Sequence, residues 1–83
     1  MKVKCFEQID AYRFLILFEN GENKEVDLFN LIAKHISLEQ LNTARIDTDW
    51  SCLEFNDGQV DKEPKTLYQF ALNNYYQDVA YVF

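Results

Sequence analysis

The sequence predicts an α+β fold: one small antiparallel sheet of about five strands packed against two helices. Three observations carry that expectation. Phe14 to Phe18 form an unbroken apolar run, followed at once by Glu19-Asn20-Gly21-Glu22. Cys52-Leu53-Glu54-Phe55 alternates and then meets a second turn, Asn56-Asp57-Gly58. Beyond Pro64, the residues Leu67, Phe70, Ala71 and Asn74 recur at helical spacing.

Taken in order, residues 2–8 alternate loosely and predict a first strand, with a short turn over 9–12. Residues 13–18 predict a second strand buried on both faces, since five apolar residues are few for a helix. Asn20-Gly21 supplies the residue pair favoured in a two-residue type I′ turn, so the chain should reverse and pair antiparallel over 23–26. Asp27 is positioned to cap a helix over 27–34, its carboxylate accepting from a free first-turn N–H. Leu28, Leu31 and Ile32 would face the core with Phe29 on the shoulder, and His35 would close the helix at its negative end.

Ser37-x-x-Gln40 has the form of a capping box and predicts a short helical turn, with Leu38 and Leu41 anchoring it and Asn42-Thr43 ending it. Residues 44–47 predict a fourth strand, 48–51 a turn and 52–55 a fifth strand with one buried and one wetter face. Pro64 fits the first turn of a helix, where its missing N–H has no partner to lose. That helix is expected over 64–75. Residues 77–83 alternate again and read as a short terminal strand.

Eighty-three residues are read as a single domain spanning 1–83. A chain of this size buries roughly 60–65% of its unfolded surface, so seven Phe, five Tyr and one Trp matter to the core. The net charge of −6 disfavours direct nucleic-acid binding, because phosphates require Lys and Arg. It equally disfavours an anionic membrane surface, and no apolar run approaches a transmembrane span. Acid at Glu7 comes too early for a secretory signal, so a cytoplasmic location is expected. Cys5 and Cys52 are expected to be free thiols. With one histidine, two cysteines and no C-x-x-C, no metal centre or cofactor is predicted.

Several of these segments together carry a family resemblance. They are Phe18-Glu19-Asn20-Gly21, Val26-Asp27-Leu28, Phe55-Asn56-Asp57-Gly58, Asp61-Lys62-Glu63-Pro64 and Thr66-Leu67-Tyr68. With Tyr12-Arg13-Phe14-Leu15 ahead of them, the chain over about residues 2–70 resembles small bacterial proteins catalogued as domain of unknown function 2442. The resemblance implies an α+β domain. Some members of that family sit beside a small partner gene, as antitoxins do. The family has no established active site, so no functional residue carries over.

The chemistry-bearing residues gather in one region. Asp47, Asp49, Glu54, Asp57, Asp61 and Glu63 are opposed there only by Arg45 and Lys62. No Gly-x-Ser-x-Gly and no Gly-rich phosphate loop is present, and His35 stands alone, so catalysis is not expected. The first reading is a non-catalytic protein-binding module, an acidic antitoxin-like or inhibitor-like partner of a basic protein. The alternative is a small hydrolase or a ligand- or metal-binding domain using the cluster over 47–63. Tyr75, Tyr81 and Phe83 add an aromatic tail. As a strand it would cover an edge of its own sheet or of a second copy's, the latter making a homodimer, which is the preferred arrangement.

Overall fold

The computed structural model describes the backbone of residues 1–81 and the side chains of residues 1–73. Its elements run β1 (Val3–Asp10), β2 (Arg13–Phe18), β3 (Asn23–Asp27), α1 (Phe29–Ile32), a 3-10 helix (Leu38–Thr43), β4 (Arg45–Ile46), β5 (Leu53–Phe55), β6 (Val60–Lys62) and α2 (Pro64–Tyr81). The α+β class holds, but the strands form two antiparallel sheets of three, β1-β2-β3 and β4-β5-β6, not one sheet of five.

The sixth strand was not expected. Gln59-Val60-Asp61-Lys62 contains one apolar residue and has no pattern of its own. It is a strand because β5 pairs with it, Phe55 opposite Val60 and Leu53 opposite Lys62. In chain order the connection through α1 and the 3-10 helix lies between the two sheets.

β2 is the centre of the first sheet. It pairs with β1 through Phe6 opposite Ile16 and with β3 through Val26 opposite Phe14. Phe14, Ile16 and Phe18 turn inward and are fully buried, while Leu15 and Leu17 lie half-buried on the other face. The β2–β3 turn differs from type I′. Gly21 has φ +88°, but Asn20 does not have positive φ. Gly21 N–H donates to the Phe18 carbonyl and Phe18 N–H to the Glu22 carbonyl, both at 3.0 Å. This is a three-residue loop in which a single left-handed residue closes the hairpin. Asn20 instead uses its side chain, accepting from Glu22 N–H at 3.0 Å.

Asp27 does accept from Phe29 N–H, at 2.9 Å, but it is not the helix cap: it ends β3, the N-cap is Leu28, and no side chain caps the helix. The helix behind it is shorter than expected, ending at Ile32 and continuing as turns to His35. Leu28 and Ile32 are buried and Leu31 packs beside them, whereas Phe29 is 55% exposed. The Tyr12 hydroxyl donates to the Ile36 carbonyl at 2.5 Å, tying the β1–β2 turn to the segment after α1.

The capping box at Ser37 forms, with Ser37 N–H donating to Gln40 Oε1 at 2.9 Å. Leu41 is buried, but Leu38 is 63% exposed. The three-residue period of a 3-10 helix sets both on the same side, yet only Leu41, one turn further along, joins the core. Asn42 and Thr43 do not break this turn but belong to it, Thr43 as the last residue, donating its hydroxyl to the Gln40 carbonyl at 2.7 Å.

One core joins all of these elements. Phe14 and Phe55 meet edge to face, ring centroids 6.1 Å apart, so the two sheets share a single apolar interior. Helix α2 begins at Pro64 and sends Leu67 and Ala71 into it, while Tyr68 stands edge-on to Phe18 at 5.2 Å. The helix continues to Tyr81, which replaces the expected strand over 77–83 as far as that residue. No Gly or Pro stands between Tyr75 and Tyr81 to stop it, and an i→i−4 ladder already running extends one bond per residue. Val82 and Phe83 lie outside the described residues.

Candidate functional site

β5 is the middle strand of the second sheet, and its alternation sorts the acidic residues. Leu53 and Phe55 face the core with Ile46 and Val60. Glu54 points the other way, opposite Arg45 on β4 and Asp61 on β6. The ladder extends by one bond beyond β4, Asp47 N–H donating to the Cys52 carbonyl at 2.9 Å. Alternation then places Arg45, Asp47, Cys52, Glu54, Asp61 and Glu63 on one outer face. The expected wetter face of β5 is nevertheless covered: Glu54 is 8% exposed and Cys52 is buried.

Two turns bracket this face. At one end Asp47 accepts from Asp49 N–H at 2.9 Å, and its carbonyl accepts from Ser51 N–H at 2.8 Å. Ser51 is left-handed at φ +56°. That tight reversal projects Trp50 outward, where it is 76% exposed. At the other end Asn56, Asp57 and Gly58 all have positive φ. Asn and Asp tolerate that region better than most residues. Thr43 Oγ1 fastens this turn by accepting from Asn56 N–H at 2.9 Å.

The six carboxylates are not equivalent. Glu54 Oε1 accepts from Arg45 Nε at 2.5 Å, and Asp57 Oδ1 lies 4.0 Å from Arg45 Nη1. The Glu54 hydrogen bond and charge together hold the Arg45 guanidinium above its ordinary pKa. Among the described residues, Asp47, Asp49, Asp61 and Glu63 have no ion-pair partner. The sequence cluster is therefore part neutralised and part open.

The open part borders a groove of about 480 Å³, lined by Trp50, Cys52, Asp61, Glu63, Pro64 and Lys65 among others. Burial pushes the Cys52 thiol above its ordinary pKa, and the charges of Asp61, Asp47, Glu63 and Glu54 add to that. Trp50 and Cys52 do not stand out from the sequence as site residues. The available signal is the chain's only tryptophan set in a polar turn, Thr48-Asp49-Trp50-Ser51. Tyr75 and Tyr81 lie on α2, with side chains outside the described set, and Phe83 lies outside the described residues. Cys5 and Cys52 are both free, the first exposed and the second buried. No described helix is long and apolar enough to cross a membrane.

The fold and this face define a small α+β domain that presents a two-ended acidic sheet surface. A family model described as protein of unknown function (DUF2442) matches residues 6–73, and the chain belongs to that family. The match runs from β1 into α2 and takes in the whole acidic face. No curated protein and no solved structure matches the chain.

Proposed function

We propose that this chain is a non-catalytic protein-binding module, an acidic antitoxin-like or inhibitor-like partner of a basic protein, working in the cytoplasm. The observation that carries the reading is the split of the acidic cluster. Four carboxylates on and beside one sheet face form no ion pair among the described residues, on a chain of net charge −6. Such a face steers a positively charged partner and speeds encounter. Asp61 stands on β6, Asp47 and Glu63 directly follow β4 and β6, and Asp49 lies in the adjoining turn, so paired strands anchor the face at its middle.

The test uses the full chain, immobilised, with a lysate passed over it at low and at high salt, and then the purified captured protein. Replacing Asp47, Asp49 and Asp61 with Asn and Glu63 with Gln should slow association by about tenfold and flatten its salt dependence. Circular dichroism should show the same fold, since these groups hold no ion pair among the described residues. Unchanged affinity and an unchanged salt slope would reduce the face to solvated surface.

A further inference from the structure

We infer that the Trp50 groove receives an arginine side chain from the basic partner. This rests on the protein-binding reading above and adds the contact that would give it specificity. Trp50 is the only tryptophan in the chain and is 76% exposed beside a groove, not folded into the core that takes Phe14, Phe18 and Phe55. An exposed indole at the edge of a concave surface is the kind of anchor that dominates protein interfaces.

Charge complementarity selects the occupant. Asp61 and Glu63 line the same groove as Trp50, and among the described residues neither has an ion-pair partner. A cation lying over the indole would meet the ring's negative face and both carboxylates together. The remainder of the lining suits a methylene stem: Cys52 and Pro64 are buried and largely apolar. The volume of about 480 Å³ suits a single long side chain with its flanking backbone, and is too small for a docked helix or strand. Guanidinium fits better than ammonium, because its plane stacks on an indole and its fork matches carboxylate oxygens. Lys65 and Met1 complete the lining: Lys65 is a resident cation that an incoming arginine must displace or sit beside, while the Met1 ammonium is turned to Glu19, 3.9 Å away.

The experiment uses the full chain and two probes, the blocked tripeptide acetyl-Gly-Arg-Gly-amide and its citrulline counterpart, which keeps the shape and loses the charge. Trp50 emission and amide chemical shifts are followed together. The expected result is a saturable response centred on the Trp50 indole N–H, Cys52 and Lys65, at least about tenfold weaker for citrulline. Asp61→Asn and Glu63→Gln should each weaken it several-fold. Asp57→Asn, at the far end of the face and beside Arg45, should leave it unchanged.

No saturable response would overturn the inference, and so would equal binding of the citrulline peptide. Shifts spread over the whole acidic face, with Asp57→Asn as damaging as Glu63→Gln, would also overturn it. If the tripeptide fails while a basic protein is still held in a salt-dependent way, the groove is refuted and the module reading stands. If the tripeptide binds at the groove while no basic protein is retained at low salt, the module reading falls and the groove stands.

Discussion

Arg45, an exposed base, donates through Nε to Glu54, a buried acid, across the β4–β5 ladder. The pair removes one acidic residue from the open face and holds the centre of the second sheet. Removing the cation leaves a carboxylate with little water and no partner, which is worse than having neither group. Arg45→Ala should therefore lower the melting temperature clearly, and Arg45→Leu with Glu54→Leu should recover most of the loss. Thermal melts of the three proteins check this. A double variant no better than the single one would show that the pair is not what holds this sheet.

The two glycines should respond differently. Gly21 has φ +88°, and a Cβ placed on it would have nothing within 4 Å, so only backbone strain opposes a side chain there. Gly21→Val should cost about 1–3 kcal/mol in denaturant unfolding, and Gly21→Asn distinctly less, because Asn tolerates that region. Gly58 has φ +86° and a Cβ there would stand 3.1 Å from Glu54 Oε2. Arg45 restrains that carboxylate from swinging away. Gly58→Ala should thus exceed Gly21→Ala in cost by about 1 kcal/mol.

The Tyr12 hydroxyl supplies the Ile36 carbonyl with a buried hydrogen bond across 24 residues of sequence. Tyr12→Phe keeps the ring against Phe29, with which it makes an edge contact at 5.2 Å, and removes only the donor. The expected loss is about 1–3 kcal/mol, since the carbonyl is left buried and unpaired. Equilibrium unfolding measures it, and a neutral outcome would mean that the carbonyl finds another donor.

The two thiols should separate in a labelling experiment. Cys5 is exposed and should react in the native protein, while Cys52 should react only slowly until the chain unfolds. Cys52 is held above its ordinary pKa by burial first and by nearby carboxylates second. As pH rises through the ordinary thiol range, the unfolded chain releases this proton before the folded one does. Folding stability should therefore fall with rising pH there, and Cys52→Ala should remove that part of the slope. Equal labelling rates at both cysteines in the native state would contradict the burial.

Much of the fold was legible because its signals are local. The apolar run at Phe14–Phe18, the turn at Gly21, the cap at Ser37 and the helix start at Pro64 act within a few residues of themselves. The family was legible for the same reason, since its motifs are these turns and caps. The acidic cluster was visible as composition, but its division was not. Glu54 and Asp57 are taken up by Arg45 only because β4 and β5 pair in one register, which brings Arg45 opposite Glu54.

By itself, then, the sequence determined the α+β class, the second strand, the hairpin that follows it and the helix at Pro64. Tertiary structure alone decided that the strands divide into two sheets and that Val60–Lys62 is a strand at all. It also decided that Trp50, in a polar turn, comes to stand beside Asp61 and Glu63 across a groove. The physical reason is range. Turn geometry and capping are settled by neighbours in the chain, whereas a strand with one apolar residue, or a groove beside a turn, exists only through partners brought from elsewhere by a shared core.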